Sequence, residues 1–324
     1  MTVPDKPVVA CIGMGVIGCG WTAHFLGQGY AVRVWDPVEG VRERLNSFLD
    51  LAWPAMTDLG LSEGADRNNF VVCETVVEAV EGALLVQESA PERLDLKVEL
   101  LSELDKSCSN EVVIASSTSG YLVSDMIVNC EDAPERVVVG HPFNPVYLLP
   151  LVELVGGPKT SKEILEKAQN IYESTGKIVL KLDREVDGFI SDRLQEAMWR
   201  EALHMVANGE ATVEQLDLAI TAGPGLRWAL MGPMLTFHLA GGEGGMAHML
   251  DHFGPSLKSP WTRLEAPELT RELRDAVVEG CEDEADGRSV AALVNERDKG
   301  LIAVIKALRT AGVGTPGDGG LHGA

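Results

Sequence analysis

His141 and Glu153 lie twelve residues apart, one at the end of the run from Arg136 to Gly140, the other inside the apolar run Leu148–Val155. A lone carboxylate in such a run is costly unless it has a partner. A histidine suits it: a carboxylate at one ring nitrogen fixes the tautomer and stabilises the imidazolium formed when the other nitrogen takes a proton. Upstream, Ser116-Ser117-Thr118-Ser119-Gly120 follows a strand-like run, and Ser119 can hydrogen-bond a reacting oxygen. Pro142-Phe143-Asn144-Pro145, directly after the histidine, reads as a rigid turn. Together these residue types support proton removal from a hydroxyl. Spacing alone leaves a second reading open, with His141 a turn residue and Glu153 an edge-strand charge.

A second constellation precedes them. Gly13-Met14-Gly15-Val16-Ile17-Gly18 is a G-x-G-x-x-G that follows a β-branched run and opens a helical stretch. The first glycine permits a tight turn, the second lets backbone N–H groups approach a pyrophosphate, and the third lets helix and strand pack closely. The phosphates then sit at the positive end of the helix. Asp36 follows 18 residues after Gly18, where a carboxylate accepts ribose hydroxyls and repels a 2′-phosphate. The expected cofactor is therefore NAD rather than NADP. The bland reading is a glycine-rich turn that binds nothing, with Asp36 capping a loop.

The elements that must position these groups alternate. Pro7–Ile12, Ala31–Trp35, Phe70–Cys73, Leu84–Gln87, Val112–Ser116 and Arg136–Gly140 read as strands. Val16–Gln28, Arg42–Trp53 and Glu92–Leu104 read as helices between them. Such alternation predicts an α/β fold, a Rossmann-type, doubly wound, mostly parallel sheet over residues 1–183. Beyond it Asp187–Asn208, Thr212–Ala222, Pro267–Cys281 and Ser289–Leu308 carry helical spacing, which predicts an all-helical C-terminal domain over 184–311. Residues 312–324 hold six glycines and read as a flexible tail.

Composition narrows the classes. The chain has 324 residues, 45% hydrophobic and 23% charged, enough to bury a sizeable core. Its net charge is −22, and lysine is absent between Lys6 and Lys97, which argues against a nucleic-acid partner. No apolar stretch reaches the 18 or so residues of a membrane span, and the first residues have no signal-type apolar core. Six scattered cysteines without C-x-x-C suggest buried free thiols in a reducing compartment, so a cytoplasmic location is expected. His248 and His252 are spaced i, i+4 around Asp251 but lack a third ligand and an H-E-x-x-H, so no metal is expected.

The order G-x-G-x-x-G, S-x-T-S, H-x-F-N-P, a glutamate twelve residues after the histidine, then Gly188-Phe189-Ile190, resembles the 3-hydroxyacyl-CoA dehydrogenase family over nearly the whole chain. The resemblance implies His141 as general base, Glu153 as its orienting partner and Ser119 as a substrate hydrogen-bonding group. It further implies Glu92 and Lys97, the family's E-x-x-x-x-K, near cofactor and substrate, and a homodimer joined through the helical domain. Two positions depart from the family pattern: Asp192 stands for its usual asparagine in G-F-[IV]-x-N-R, and Ser117 for the asparagine before Thr-Ser.

The family's acyl-CoA members meet the CoA phosphates with lysines after the second strand. Here Pro37–Phe70 holds six acids, three arginines and no lysine. The blocks G-F-I-x-D-R-L-x-E-A-x-W-R-E-A-L and G-P-G-L-R-W-A-x-M-G-P resemble instead the family's L-carnitine branch, whose small 3-hydroxy substrate carries a trimethylammonium group. Aromatic faces beside a carboxylate hold such cations. Phe143, Tyr147, Trp199, Trp228 and Asp192 are the candidates, with Asn144 beside them in the turn. The gulonate dehydrogenase and lambda-crystallin branch is the nearest alternative, and a dinucleotide-binding protein without turnover is the alternative of a different class.

Overall fold

The β-branched runs form one sheet. Its strands are Val8–Ile12 (β1), Ala31–Trp35 (β2), Phe70–Val72 (β3), Leu85–Glu88 (β4), Val113–Ser116 (β5), Val137–Pro142 (β6), Leu151–Gly156 (β7) and Ile178–Leu182 (β8). They lie in the order β3-β2-β1-β4-β5-β6-β7-β8, parallel throughout except for the antiparallel pair β6–β7. The structure, a computed structural model, describes residues 7–254, 268 and 270–312. The tail from residue 313 onward, and Pro267 at the expected start of a helix, lie outside the described residues.

Helices Val16–Gly27 (α1), Val41–Leu59 (α2), Val76–Val80 (α3), Leu94–Ser107 (α4), Val123–Met126 (α5) and Lys162–Ser174 (α6) alternate with the strands. The central strands are buried along their length, as a parallel sheet covered by helices requires. α2 continues past Trp53, where it was expected to stop, and contains Pro54. That proline lies on the exposed side, where a carbonyl deprived of its i+4 donor can be hydrated. α6 and β8 were not among the expected elements.

The chain divides into two compact units between Ile190 and Ser191, a few residues beyond the expected 183/184. Residues 184–190 are tied to the first unit: Glu185 Oε1 accepts from Ser124 N at 2.7 Å and Ile190 N donates to Glu153 Oε1 at 3.1 Å. The second unit contains Ser191–Ala207 (α7), Val213–Thr221 (α8), Pro224–Trp228 (α9), Pro233–Ala240 (α10), Gly245–Phe253 (α11), Arg271–Ala285 (α12) and Val290–Ala311 (α13). α9, α10 and α11 occupy a Gly/Pro-rich stretch for which no helix was expected; Pro224 and Pro233 start two of them, because a first-turn proline loses no helical bond. Four of the six free cysteines are buried, but Cys108 is half-buried and Cys281, on the open face of α12, is exposed. Among the described residues no helix is long and apolar enough to cross a membrane.

A buried ion pair fixes where β6 begins. Arg136 and Asp105 are both fully buried, with Nη2 to Oδ1 at 2.9 Å, and Arg136 also donates to the carbonyls of Cys108, Ser109 and Asp105. Asp105 accepts the N–H groups of Asp132 and Ala133 at 2.8 and 3.0 Å. Burial pushes its carboxyl up, but those N–H groups and the guanidinium together hold it below the usual range. The pair thus contributes fully above the unfolded carboxyl's pKa and is lost as pH falls through the lowered one. Asp105→Asn is expected to cost about 3–5 kcal/mol in denaturant unfolding, and to weaken the acid sensitivity of what stability remains.

Candidate active site

Gly13 follows β1 with φ at +90°, and a Cβ there would meet Ser89 O at 2.7 Å. A Cβ on Gly18 would lie 1.8 Å from Gly13 O. Both glycines are demanded by packing. Gly15 is different: a Cβ there meets no protein atom within 4 Å, so the space before it is open. It stands at the N-cap of α1 with no side-chain cap, an arrangement that leaves room and donors for a pyrophosphate. Of the turn's other members, Met14 turns its side chain into the core, while Val16 is exposed and Ile17 half-buried.

Asp36, at the end of β2, accepts Met14 N at 2.6 Å on Oδ2 and Val38 N at 2.8 Å on Oδ1, with Arg44 Nη2 3.6 Å away. A carboxylate has about four lone-pair sites, so the two N–H bonds leave capacity for ribose hydroxyls. The turn and Asp36 therefore fit a dinucleotide.

The ends of β4, β5 and β6 reach the same edge of the sheet. His141 and Glu153 are direct cross-strand partners in the antiparallel β6–β7 register. His141 Nδ1 lies 3.1 Å from Glu153 Oε2; the glutamate is fully buried and the histidine nearly so. The other carboxylate oxygen accepts from Ile190 N, so both ends of Glu153 are held. Phe189, just before, adopts φ +51°, a left-handed backbone that costs a non-glycine residue about 1–3 kcal/mol. It is buried, with its ring 5.6 Å from that of His141, while the Phe143 ring meets the imidazole edge-on at 4.8 Å. Asn144 is exposed beyond it.

Lys97 is buried and committed to a residue that sequence reasoning missed. Its Nζ contacts Glu88 Oε1 at 2.9 Å and Oε2 at 3.2 Å, with Glu92 Oε2 at 3.5 Å. Glu92, half exposed, accepts Thr118 Oγ1 at 2.6 Å and Ser119 N at 3.0 Å, which sets the loop bearing the exposed Ser119. Glu88 closes an apolar strand, the same signal that singled out Glu153.

Gln87 was missed as well. Its Nε2 donates to Ser117 Oγ at 2.8 Å and to Gly140 O at 3.3 Å, and its Oε1 accepts from Tyr172 OH at 2.6 Å. Trp21 Nε1 donates to Ser117 Oγ at 3.2 Å. A hydroxyl at position 117 thus serves as the meeting point of β4, α1 and the Ser119 loop. Gly140 is bare because a Cβ there would lie 2.0 Å from Tyr172 OH.

The remaining candidates are less exposed to a ligand or stand in the helical unit. Tyr147 is buried, edge-on to Phe48 of α2 at 5.7 Å, which makes it a packing residue of its turn. Asp192 occupies the first turn of α7, where the helix dipole favours an acid, and accepts from Gln195 Nε2 at 3.1 Å. Trp199 is exposed on α7 and Trp228 half-buried on α9. His248 and His252 stack on one another, and among the described residues no group of three ligating side chains forms a metal site. Gly18→Ala is expected to lower Tm and NAD affinity together, whereas Gly15→Ala should leave Tm in place and weaken NAD binding about tenfold or more, read by fluorescence titration.

Residues 8–186 match the family described as 3-hydroxyacyl-CoA dehydrogenase, NAD binding domain, and residues 188–280 match its C-terminal domain. A Streptomyces coelicolor protein named L-carnitine dehydrogenase is 62% identical over 95% of this chain and 96% of its own length. Proteins of the same name from Oceanobacillus iheyensis and Pseudomonas aeruginosa are 51% and 49% identical, over 92% and 95% of this chain and 96% and 95% of their own lengths. Among solved structures, an NAD-dependent 5-formyl-3-hydroxy-2-methylpyridine 4-carboxylic acid 5-dehydrogenase superposes with a TM-score of 0.79 at 25% identity, covering 94% of this chain and 99% of that one. The matched sequence and the NAD-binding sheet with its helical C-terminal unit lead to one assignment: the chain belongs to the 3-hydroxyacyl-CoA dehydrogenase family.

Proposed function

We propose that this protein oxidises the 3-hydroxyl of L-carnitine to 3-dehydrocarnitine, with His141 as general base, Glu153 as its orienting partner and NAD as oxidant. The observation that carries the mechanism is the buried His141–Glu153 contact, 3.1 Å across the antiparallel register. The choice of carnitine rests on relatives of that name at 49–62% identity and on the lysine-free, acidic segment 37–70, which is poorly suited to CoA phosphates.

A carboxylate has only acceptor atoms, so Nδ1 must carry the proton and Nε2 presents its lone pair. The Ile190 N–H holds the other oxygen of Glu153, which keeps the carboxylate aimed as the imidazole becomes charged. His141 takes the hydroxyl proton at Nε2, and Ser119 donates to the reacting oxygen. NAD supplies the acceptor for the hydride leaving C3. Glu92 and Lys97 hold the Ser119 loop in register with this site. Within the helical unit, Trp199, Trp228 and Asp192 supply the aromatic faces and the carboxylate of the kind that hold a trimethylammonium group.

A homodimer through the helical unit is part of this reading. Leu218, Leu226, Met234, Leu235, Phe237 and Leu250 of α8 to α11 are each between 47% and 70% exposed, apolar side chains of the kind that an interface with a second copy covers. Light scattering on a sizing column is expected to give twice the 34.8 kDa chain mass; a monomer at micromolar concentration would refute the dimer.

NADH formation at 340 nm is expected with L-carnitine, and not with D-carnitine, L-gulonate or L-3-hydroxybutyryl-CoA. His141→Ala should lower turnover by about 10²–10⁴-fold with NAD affinity kept. Near-normal turnover in that variant would remove His141 from the mechanism, and turnover of another substrate in place of L-carnitine would overturn the assignment.

A further inference from the structure

Lys177 is a buried amine outside the catalytic constellation. It is 5% exposed, and none of the ion pairs among the described residues includes it. Burying an ammonium without a carboxylate is costly, so its other contacts must compensate. Its Nζ donates to Val146 O and, at 2.9 Å, to Leu149 O, and lies 5.2 Å from the centroid of the Trp21 ring. Next in the chain, Ile178 N donates to Pro150 O at 2.8 Å.

These contacts converge on one segment. Residues 143–150 connect β6 to β7, and Phe143 at their start supplies the ring that meets His141 edge-on. The segment is also seated on α1: a Cβ on Gly20 would press into the Val146 side chain at 3.0 Å. Trp21, beside Gly20, has its indole N–H on Ser117 and its face toward Lys177. The helix that opens at the nucleotide turn thus touches both the Ser119 loop and the turn after His141.

We propose that Lys177 is a positioning residue for the reaction: it fastens the turn 143–150 to β8 and to the Trp21 face of α1, and thereby fixes Phe143 against His141. Burial pushes the amine down to about 7, and the tie does not depend on its charge. Neutral and charged forms both keep at least two N–H donors, enough for the two carbonyls.

The inference rests on the proposed reaction in its kinetic arm only. Lys177→Met fills similar volume without the donors. Losing two such hydrogen bonds should raise amide exchange across 143–150 about ten- to hundredfold, with β1 to β5 unchanged. In the same variant kcat should fall and KM for L-carnitine rise by about tenfold or more, while KM for NAD stays within about twofold. If Lys177→Met does not fold, Lys177→Gln, whose amide nitrogen stands one bond short of the lysine Nζ and so loses its reach to the two carbonyls, is read by the same two measurements, with a smaller rise in exchange expected. Unchanged exchange across 143–150, or loss of NAD and carnitine affinity in equal proportion, would overturn the proposal. A wild type that does not turn over L-carnitine would refute the proposed reaction, and the exchange measurement would still decide the role of Lys177.

Discussion

Burying Glu153 is the constraint on which the rest of this architecture turns. A fully enclosed carboxylate must have each oxygen satisfied, and here one takes the His141 ring and the other the Ile190 N–H. The first demand is met by one antiparallel junction in the sheet, beyond which β7 and β8 run opposite to the other six strands, because only antiparallel neighbours joined by a short connection bring residues 141 and 153 opposite one another. The second pulls the chain after β8 back toward the sheet and forces Phe189 into a left-handed backbone. Strain is tolerated there because the same residue walls the imidazole.

The nucleotide half obeys a separate constraint, close approach of backbone to backbone. Gly13 and Gly18 are required by the protein's own atoms and Gly15 by open space alone. Packing and binding are thus divided among three glycines of one turn. Trp21, two turns along the same helix, carries that geometry into the polar network around Ser117 and Gln87. The halves of the site are joined by a side chain that a sequence pattern reads as plain helix core.

Periodicity and punctuation made the sheet legible: short apolar, largely β-branched runs mark every strand from β1 to β6. The G-x-G-x-x-G and the glutamate in an apolar run were legible for local reasons, and the structure has the first at the turn after β1 and the second against His141. What stayed hidden depends on distant partners. Lys177 follows a glycine and looks like a solvated surface lysine until the carbonyls of Val146 and Leu149 are found above it. Glu88 closes an apolar strand as Glu153 stands in one, but no histidine or lysine beside it in the sequence points to its partner, the Lys97 ammonium nine residues on. Tyr147 read as a ligand aromatic because nothing local announces Phe48, which covers it. The helices between Pro224 and Phe253 were obscured by glycines and prolines that in fact stand largely at helix starts and ends.

The contact between Gly140 and Tyr172 has a consequence for how such a chain can drift. A methyl group at 140 would collide with the phenol oxygen at 2.0 Å and with the ring carbon that bears it at 2.7 Å, so trimming the hydroxyl alone would not make room. Position 140 can therefore gain a side chain only after, or together with, a smaller residue at 172, and that smaller residue would leave Gln87 without its donor. Three residues from β4, β6 and α6 form a ratchet against single-step substitution. In descendants of this sequence they should be inherited as a set or exchanged as a set.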